Sequence, residues 1–155
     1  MTDAAMPRLS LDTPVGRLTI FEQDGVITAV VWGDKSAGPA TPLLEKAKRQ
    51  LQAYFTGKRR DFDLPLAPEG TDDEKRIWAA MAAIPYGETR SYGDIGRALQ
   101  IEPRAVGQAC GRNPLPILLP CHRVTGADGK LVGYSGSGGI ETKRALLQLE
   151  GALLL

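Results

Sequence analysis

Histidine occurs once in the 155 residues, at His122, and cysteine twice, at Cys110 and Cys121. A lone histidine leaves few zinc arrangements open, because such sites draw their ligands chiefly from histidine, cysteine and carboxylate. Two cysteines cannot build the disulfide framework of a small secreted domain, which points to a reducing compartment. No window approaches the ~18 consecutive apolar residues of a membrane span. The opening Met1 to Pro7 lacks the charged and apolar regions of a signal peptide. A cytoplasmic protein with no membrane partner is expected. An excess of one charge is missing too: 19 Lys and Arg face 18 Asp and Glu, so any surface for a polyanion must be local.

What is present suffices for a core without metal or disulfide, since 43% of the residues are hydrophobic. Leu9 and Leu11, then Leu18 and Ile20, alternate with polar neighbours and read as half-buried strands. Asp24-Gly25 before Val26 to Trp32 is a two-residue hairpin signal. Thr41 followed by Pro42 opens a helix over 42–56, with Leu44, Ala47, Leu51 and Tyr54 on one face and Gly57 ending it. The Pro- and Gly-containing stretch from Leu64 to Gly70 reads as a connector, giving a sheet-and-helix domain over 1–67 and a second domain over 68–155.

The second half reads as mostly helical. Thr71 with Glu74 forms a capping-box pattern ahead of Ile77, Trp78 and Met81, and Pro85 stops that helix. Ser91 with Asp94 starts a shorter helix, and another runs from Pro103 to Gly111 after the brief turn Gln100-Ile101-Glu102, which together make a helix-turn-helix candidate. A last helix covers 141–150, after a glycine-rich loop at 136–139. Between residues 90 and 130, six cations face three carboxylates, a local balance of +3, whereas residues 1–70 balance at zero. Arg104 projects from the first turn of the second helix, and Ala105 and Gly107 let a backbone approach a groove closely. From charge alone an ordinary solvated helical face is the better account, and the helix-turn-helix spacing brings the two readings level.

The sharpest local feature is Asn113-Pro114-Leu115-Pro116-Ile117-Leu118-Leu119-Pro120-Cys121-His122-Arg123-Val124. Its prolines hold an apolar segment extended up to a cysteine. A cysteine nucleophile acts as thiolate and needs a base or a positive charge to ionise near neutral pH, for which His122 and Arg123 are candidates. Neighbours on a strand point apart, so a turn at Cys121 is required. Read alone, Cys121 is equally a small buried hydrophobe and His122 a structural histidine. Cys110, beside Val106, is assigned to packing.

The string Pro120 to Val124, preceded by Arg104-Ala105-Val106-Gly107 and Arg112-Asn113-Pro114, resembles the O6-alkylguanine-DNA alkyltransferases. Ile84 to Thr89, Ser91-Tyr92-Gly93, Gly133-Tyr134-Ser135-Gly136 and Leu149-Glu150-Gly151 extend the resemblance over residues 71–151. It implies an α+β fold: an N-terminal antiparallel sheet with a helix, ribonuclease-H-like, then a helical domain with a helix-turn-helix. The implied activity is methylated-DNA–protein-cysteine methyltransferase, a single-turnover repair of O6-alkylguanine, and of O4-alkylthymine, in duplex DNA. The alkyl group ends on Cys121 and no cofactor takes part. A monomer in solution is expected, with cooperativity on DNA left open.

The same resemblance implies roles residue by residue. His122 ionises Cys121 through an ordered water, Glu150 orients His122, and Asn113 is the hinge behind the nucleophile. Tyr92 helps rotate the nucleotide outward and donates to the base. Tyr134 and Ser135 form the pocket wall, and the carbonyls of Cys121 and Val124 receive the guanine amino group. Arg104 enters from the minor groove and fills the gap in the stack, with Ala105, Gly107, Arg112 and Arg123 at the DNA surface. Two departures stand out: a longer loop at Ser135 to Gly139, and an N-terminal half without the cysteine and histidine ligands that hold zinc in some members. No metal is expected. Three rivals compete with this reading: a lesion-binding module without transfer, which resembles the family with Trp at the nucleophile; a cysteine hydrolase; and a transcription regulator.

Overall fold

In the computed structural model, residues 6–33, 38–132 and 139–153 are described. They fall into two compact units, Met1–Glu69 and Gly70–Leu155.

In the first unit, β1 (Arg8–Thr13), β2 (Gly16–Gln23) and β3 (Val26–Trp32) form an antiparallel meander in the order β1-β2-β3. Gln23 pairs with Val26, so the β2–β3 hairpin turns on Asp24 and Gly25 alone. Both have positive φ, 53° and 83°, the demand of a type I' turn and the reason aspartate and glycine stand there. Alternation buries Leu11, Leu18, Ile20, Ile27 and Val30. Helix α1 (Pro42–Phe55) begins where the Thr41 hydroxyl accepts the Leu44 N–H at 3.1 Å, and it seals this sheet with Leu44, Ala47, Leu51 and Tyr54. The connector after it is bonded to the sheet. Ile27 donates to Pro65 O at 2.8 Å and accepts from Ala67 N at 3.0 Å, so the extended Pro65 to Ala67 segment lies parallel beside β3.

In the second unit, α2 (Asp72–Ala82) starts with the full Thr71–Glu74 capping box, and α3 (Tyr92–Leu99) with a second box between Ser91 and Asp94. Gln100 ends α3 in the left-handed region, after which Pro103 opens α4 (Pro103–Gly111). Helix α2 is tied to α4 by the Trp78 indole, which donates to Ala109 O at 2.9 Å. Helix α5 (Ile140–Leu149) closes the unit. The second half is not wholly helical: β4 (Arg90–Ser91) and β5 (Val124–Thr125) form a two-residue parallel ladder. It fastens the start of α3 to the segment that follows Cys121.

Among the described residues, no helix is long and apolar enough to cross a membrane. The glycine-rich loop at 136–139 lies, apart from Gly139, outside the described residues.

Candidate active site

The proline-rich segment folds inward, and Leu115 to Val124 are all buried. Asn113 organises it from one side chain: Oδ1 accepts the Leu115 N–H at 2.9 Å, and Nδ2 donates to Leu119 O at 2.8 Å. Pro120 then gives way to a single 3-10 turn over Cys121–Arg123. This turn supplies what an extended chain cannot, since it brings consecutive side chains round instead of alternating them across a strand.

Cys121 is 6% exposed and His122 completely buried. His122 Nε2 lies 2.7 Å from Glu150 Oε2, at the end of α5. A carboxylate only accepts, so Nε2 carries the proton and a neutral ring presents its lone pair at Nδ1. Nδ1 is buried and has no hydrogen-bond partner among the described residues. Burial first of all depresses the His122 pKa; Glu150 opposes this, and the Arg123 and Lys143 charges reinforce it. The ring is therefore held as a free base. Burial likewise raises the Cys121 thiol, while a hydrogen bond from the Asn113 side chain and the Lys143 charge pull it down.

Arg123 overturns its expected place at a DNA surface. Its guanidinium forks onto Glu150, Nε to Oε1 at 2.8 Å and Nη2 to Oε2 at 3.0 Å, and its third nitrogen donates to Ile84 O at 2.8 Å. A buried carboxylate needs a charge partner as well as hydrogen bonds, and a planar fork provides both. Arg123 stacks over the Tyr86 ring at 5.7 Å, and the Tyr86 hydroxyl donates to Leu149 O at 3.3 Å. Together they hold the end of α5 where Glu150 meets His122.

Tyr92, the first residue of α3, donates its hydroxyl to Val132 O at 3.2 Å. Burial, followed by the two cysteines, pushes its pKa up to about 12, so it remains a donor. Val124 O accepts Lys143 Nζ at 2.6 Å. Lys143 was not among the expected site residues, although it lies on the α5 stripe continued by Leu146, Leu147 and Glu150, where a lysine is out of place. Cys110 is buried with its Sγ 3.5 Å from Met81 Sδ, and burial pushes its pKa up to about 12. Tyr134 and Ser135 lie outside the described residues.

The expected DNA-facing residues of α4 stay at its surface. Arg104 is exposed, Ala105 and Gly107 are half-buried, and Arg112 is exposed while pairing with Glu74 at 3.2 Å. Among the described residues, no three His, Cys, Asp or Glu side chains are grouped to hold a metal ion.

Comparison with known proteins matches both units. Residues 72–152 match the family described as 6-O-methylguanine DNA methyltransferase, DNA binding domain, and residues 8–68 match 6-O-methylguanine DNA methyltransferase, ribonuclease-like domain. The methylated-DNA–protein-cysteine methyltransferase of Mycobacterium tuberculosis strain H37Rv is 45% identical over 150 residues, covering 91% of this chain and 90% of its own. The constitutive enzyme of that name from Bacillus subtilis strain 168 is 45% identical over 152 residues, covering 90% and 92%. A crystal structure of the Mycobacterium tuberculosis protein in complex with DNA superimposes with a TM-score of 0.84 at 44% identity, covering 94% of this chain and 92% of that one. The chain belongs to the 6-O-methylguanine DNA methyltransferase family.

Proposed function

We infer that this protein repairs alkylated DNA by direct reversal, moving the alkyl group of O6-alkylguanine irreversibly onto its own Cys121. The observation that carries the assignment of the acceptor is the contact of 2.7 Å between His122 Nε2 and Glu150 Oε2, beside a buried cysteine. It fixes the neutral tautomer whose free nitrogen takes a proton.

The thiol proton passes, through a bridging water, to His122 Nδ1. The thiolate attacks the alkyl carbon in line, the S–C bond forms as the C–O6 bond breaks, and the electron pair leaves with the guanine. Tyr92 donates to the departing base, and the proton taken up by His122 is returned to the guanine, which leaves both the imidazole and the base neutral. Every atom is balanced between protein and DNA, so no cofactor enters. The thioether has no good leaving group, and each molecule acts once.

Arg104 fills the stack from the minor groove when the damaged nucleotide is extruded, with Ala105, Gly107 and Arg112 against the backbone. The carbonyls of Cys121 and Val124, with Tyr134 and Ser135, frame the base. Asn113 acts as the hinge, and Arg123 serves Glu150 rather than DNA. Residues 68–155 thus carry both binding and acceptance, and 1–67 form a separate supporting domain. The reading extends to O4-alkylthymine, to a monomer in solution, and to a cytoplasmic setting that keeps Cys110 and Cys121 as free thiols.

The test is to incubate the protein with duplex DNA bearing a labelled methyl on guanine O6 and count label per protein. A plateau near one, lost in Cys121→Ser, is expected. Multiple turnover, or label at another residue, overturns the reading.

A further inference from the structure

Lys143 is a lysine with no exposed surface. Its ammonium donates to Val124 O at 2.6 Å and to Val132 O at 3.0 Å, and it sits 5.8 Å from the centre of the Tyr92 ring. Two of its three N–H groups are thereby used, and no carboxylate pairs with it among the described residues. A buried cation without an anion is costly, so a negative charge formed beside it is favoured.

We infer that Lys143 is a positioning residue for the alkyl transfer: locked on the carbonyls of Val124 and Val132, its buried ammonium provides the charge against which the Cys121 thiol ionises. This rests on Cys121 as the acceptor. Burial lowers the Lys143 pKa, and the Cys121 and Cys110 thiols oppose this by favouring the ammonium when they ionise, while Lys143 in turn acts on His122. Of the two thiols, Cys110 donates to Met81 Sδ and burial holds it at about 12, whereas Cys121 receives a hydrogen bond from the Asn113 side chain that favours its anion. The anion therefore forms at Cys121. The proton lost to His122 leaves a thiolate that compensates the ammonium, and that charge departs with the guanine oxygen when the S–C bond closes. Because the same nitrogen holds β5 and the Val132 carbonyl that Tyr92 also grips, the charge is fixed in direction before DNA arrives.

The experiment follows label uptake from methylated duplex DNA between about pH 6 and pH 10 for the wild type, Lys143→Met and Lys143→Arg, with thermal unfolding of each. Lys143→Met is expected to move the midpoint of the alkaline rise upward by about one pH unit, a loss of about tenfold at neutral pH that recovers as pH rises. Lys143→Arg is expected to keep the wild-type midpoint. An unmoved midpoint with equal slowing at every pH overturns the proposal, as does an arginine variant shifted like the methionine one. Should Lys143→Met not fold, Lys143→Gln, whose amide can donate to the same carbonyls without charge, is read by the same midpoint. Collapse of both neutral variants would put the charge at the service of the fold and overturn the proposal too. A wild type that takes no label at Cys121 instead sinks the assignment of the acceptor, whereas a labelled wild type with an unshifted neutral variant sinks only the role of Lys143.

Discussion

Arg123 holds Glu150 by two N–H···O bonds of 2.8 and 3.0 Å while the same carboxylate meets His122 at 2.7 Å. One buried carboxylate thus serves two neighbours in the same turn of chain. The arginine supplies the positive charge beside this carboxylate that the neutral histidine does not.

Breaking this pair from the arginine side should cost heavily, because a buried carboxylate would be left without compensation. Arg123→Met is expected to lower stability by about 3–5 kcal/mol in urea unfolding. Arg123→Lys should recover only part, since an ammonium cannot form the fork. A variant with unchanged stability and weakened DNA binding would return Arg123 to the DNA-surface role that the family resemblance implied.

The turn between α3 and α4 leaves no room for a side chain at Gly96. A Cβ there would lie 2.5 Å from Ile101 O and 3.4 Å from Pro103 N, both backbone atoms. Gly96→Ala must spread the two helices, and a loss of about 1–3 kcal/mol is expected, with weaker DNA binding. Stability and affinity measured on the one variant check it. A neutral substitution would mean that the helices can part without harm.

The elements that were legible in the sequence are those fixed by local chemistry. Thr41 with Pro42, Thr71 with Glu74, Ser91 with Asp94, and Asp24-Gly25 each satisfy or bend backbone within four residues, so they can be read without knowing the rest of the fold. The β4–β5 ladder could not be found this way, since two residues carry no periodicity and their partners lie far apart in the chain. Glu150 is a helix-end carboxylate by pattern alone, and only the resemblance singled it out. Arg123 was misplaced for the same reason: whether an arginine faces solvent or a buried carboxylate depends on what the fold brings from a distance. Lys143 left a signal, a lysine in an apolar stripe, but the pattern names no partner.

Buried titratable groups give the protein a stability optimum with identifiable edges. His122 has its pKa depressed on folding, so its contribution is present above the ordinary histidine value and is lost as pH falls below it. Cys110 is raised to about 12, so its contribution is present below the ordinary thiol value and is lost as pH rises from there toward 12. Each edge should approach a slope of about 1.4 kcal/mol per pH unit per group. Denaturant titrations across the range measure this, and Cys110→Ala should flatten the alkaline edge alone. An alkaline slope unaltered by that substitution would leave Cys121 or Tyr92, both raised by burial, as its cause.

Arg104 and Arg112 lie at opposite ends of α4's exposed surface and should fail differently. Arg112 is two-thirds exposed and paired with Glu74, so Arg112→Ala should leave stability nearly unchanged. As a phosphate contact it should weaken binding to all sequences alike and reduce the salt slope by about 0.9. Arg104→Ala removes the group proposed to occupy the vacated stack, and it should slow repair of duplex DNA far more than reaction with free O6-alkylguanine base. At saturating DNA, where binding no longer limits the rate, the ratio of the two rates separates extrusion from the chemistry at Cys121. Equal slowing on both would remove Arg104 from extrusion and place its influence at the acceptor itself.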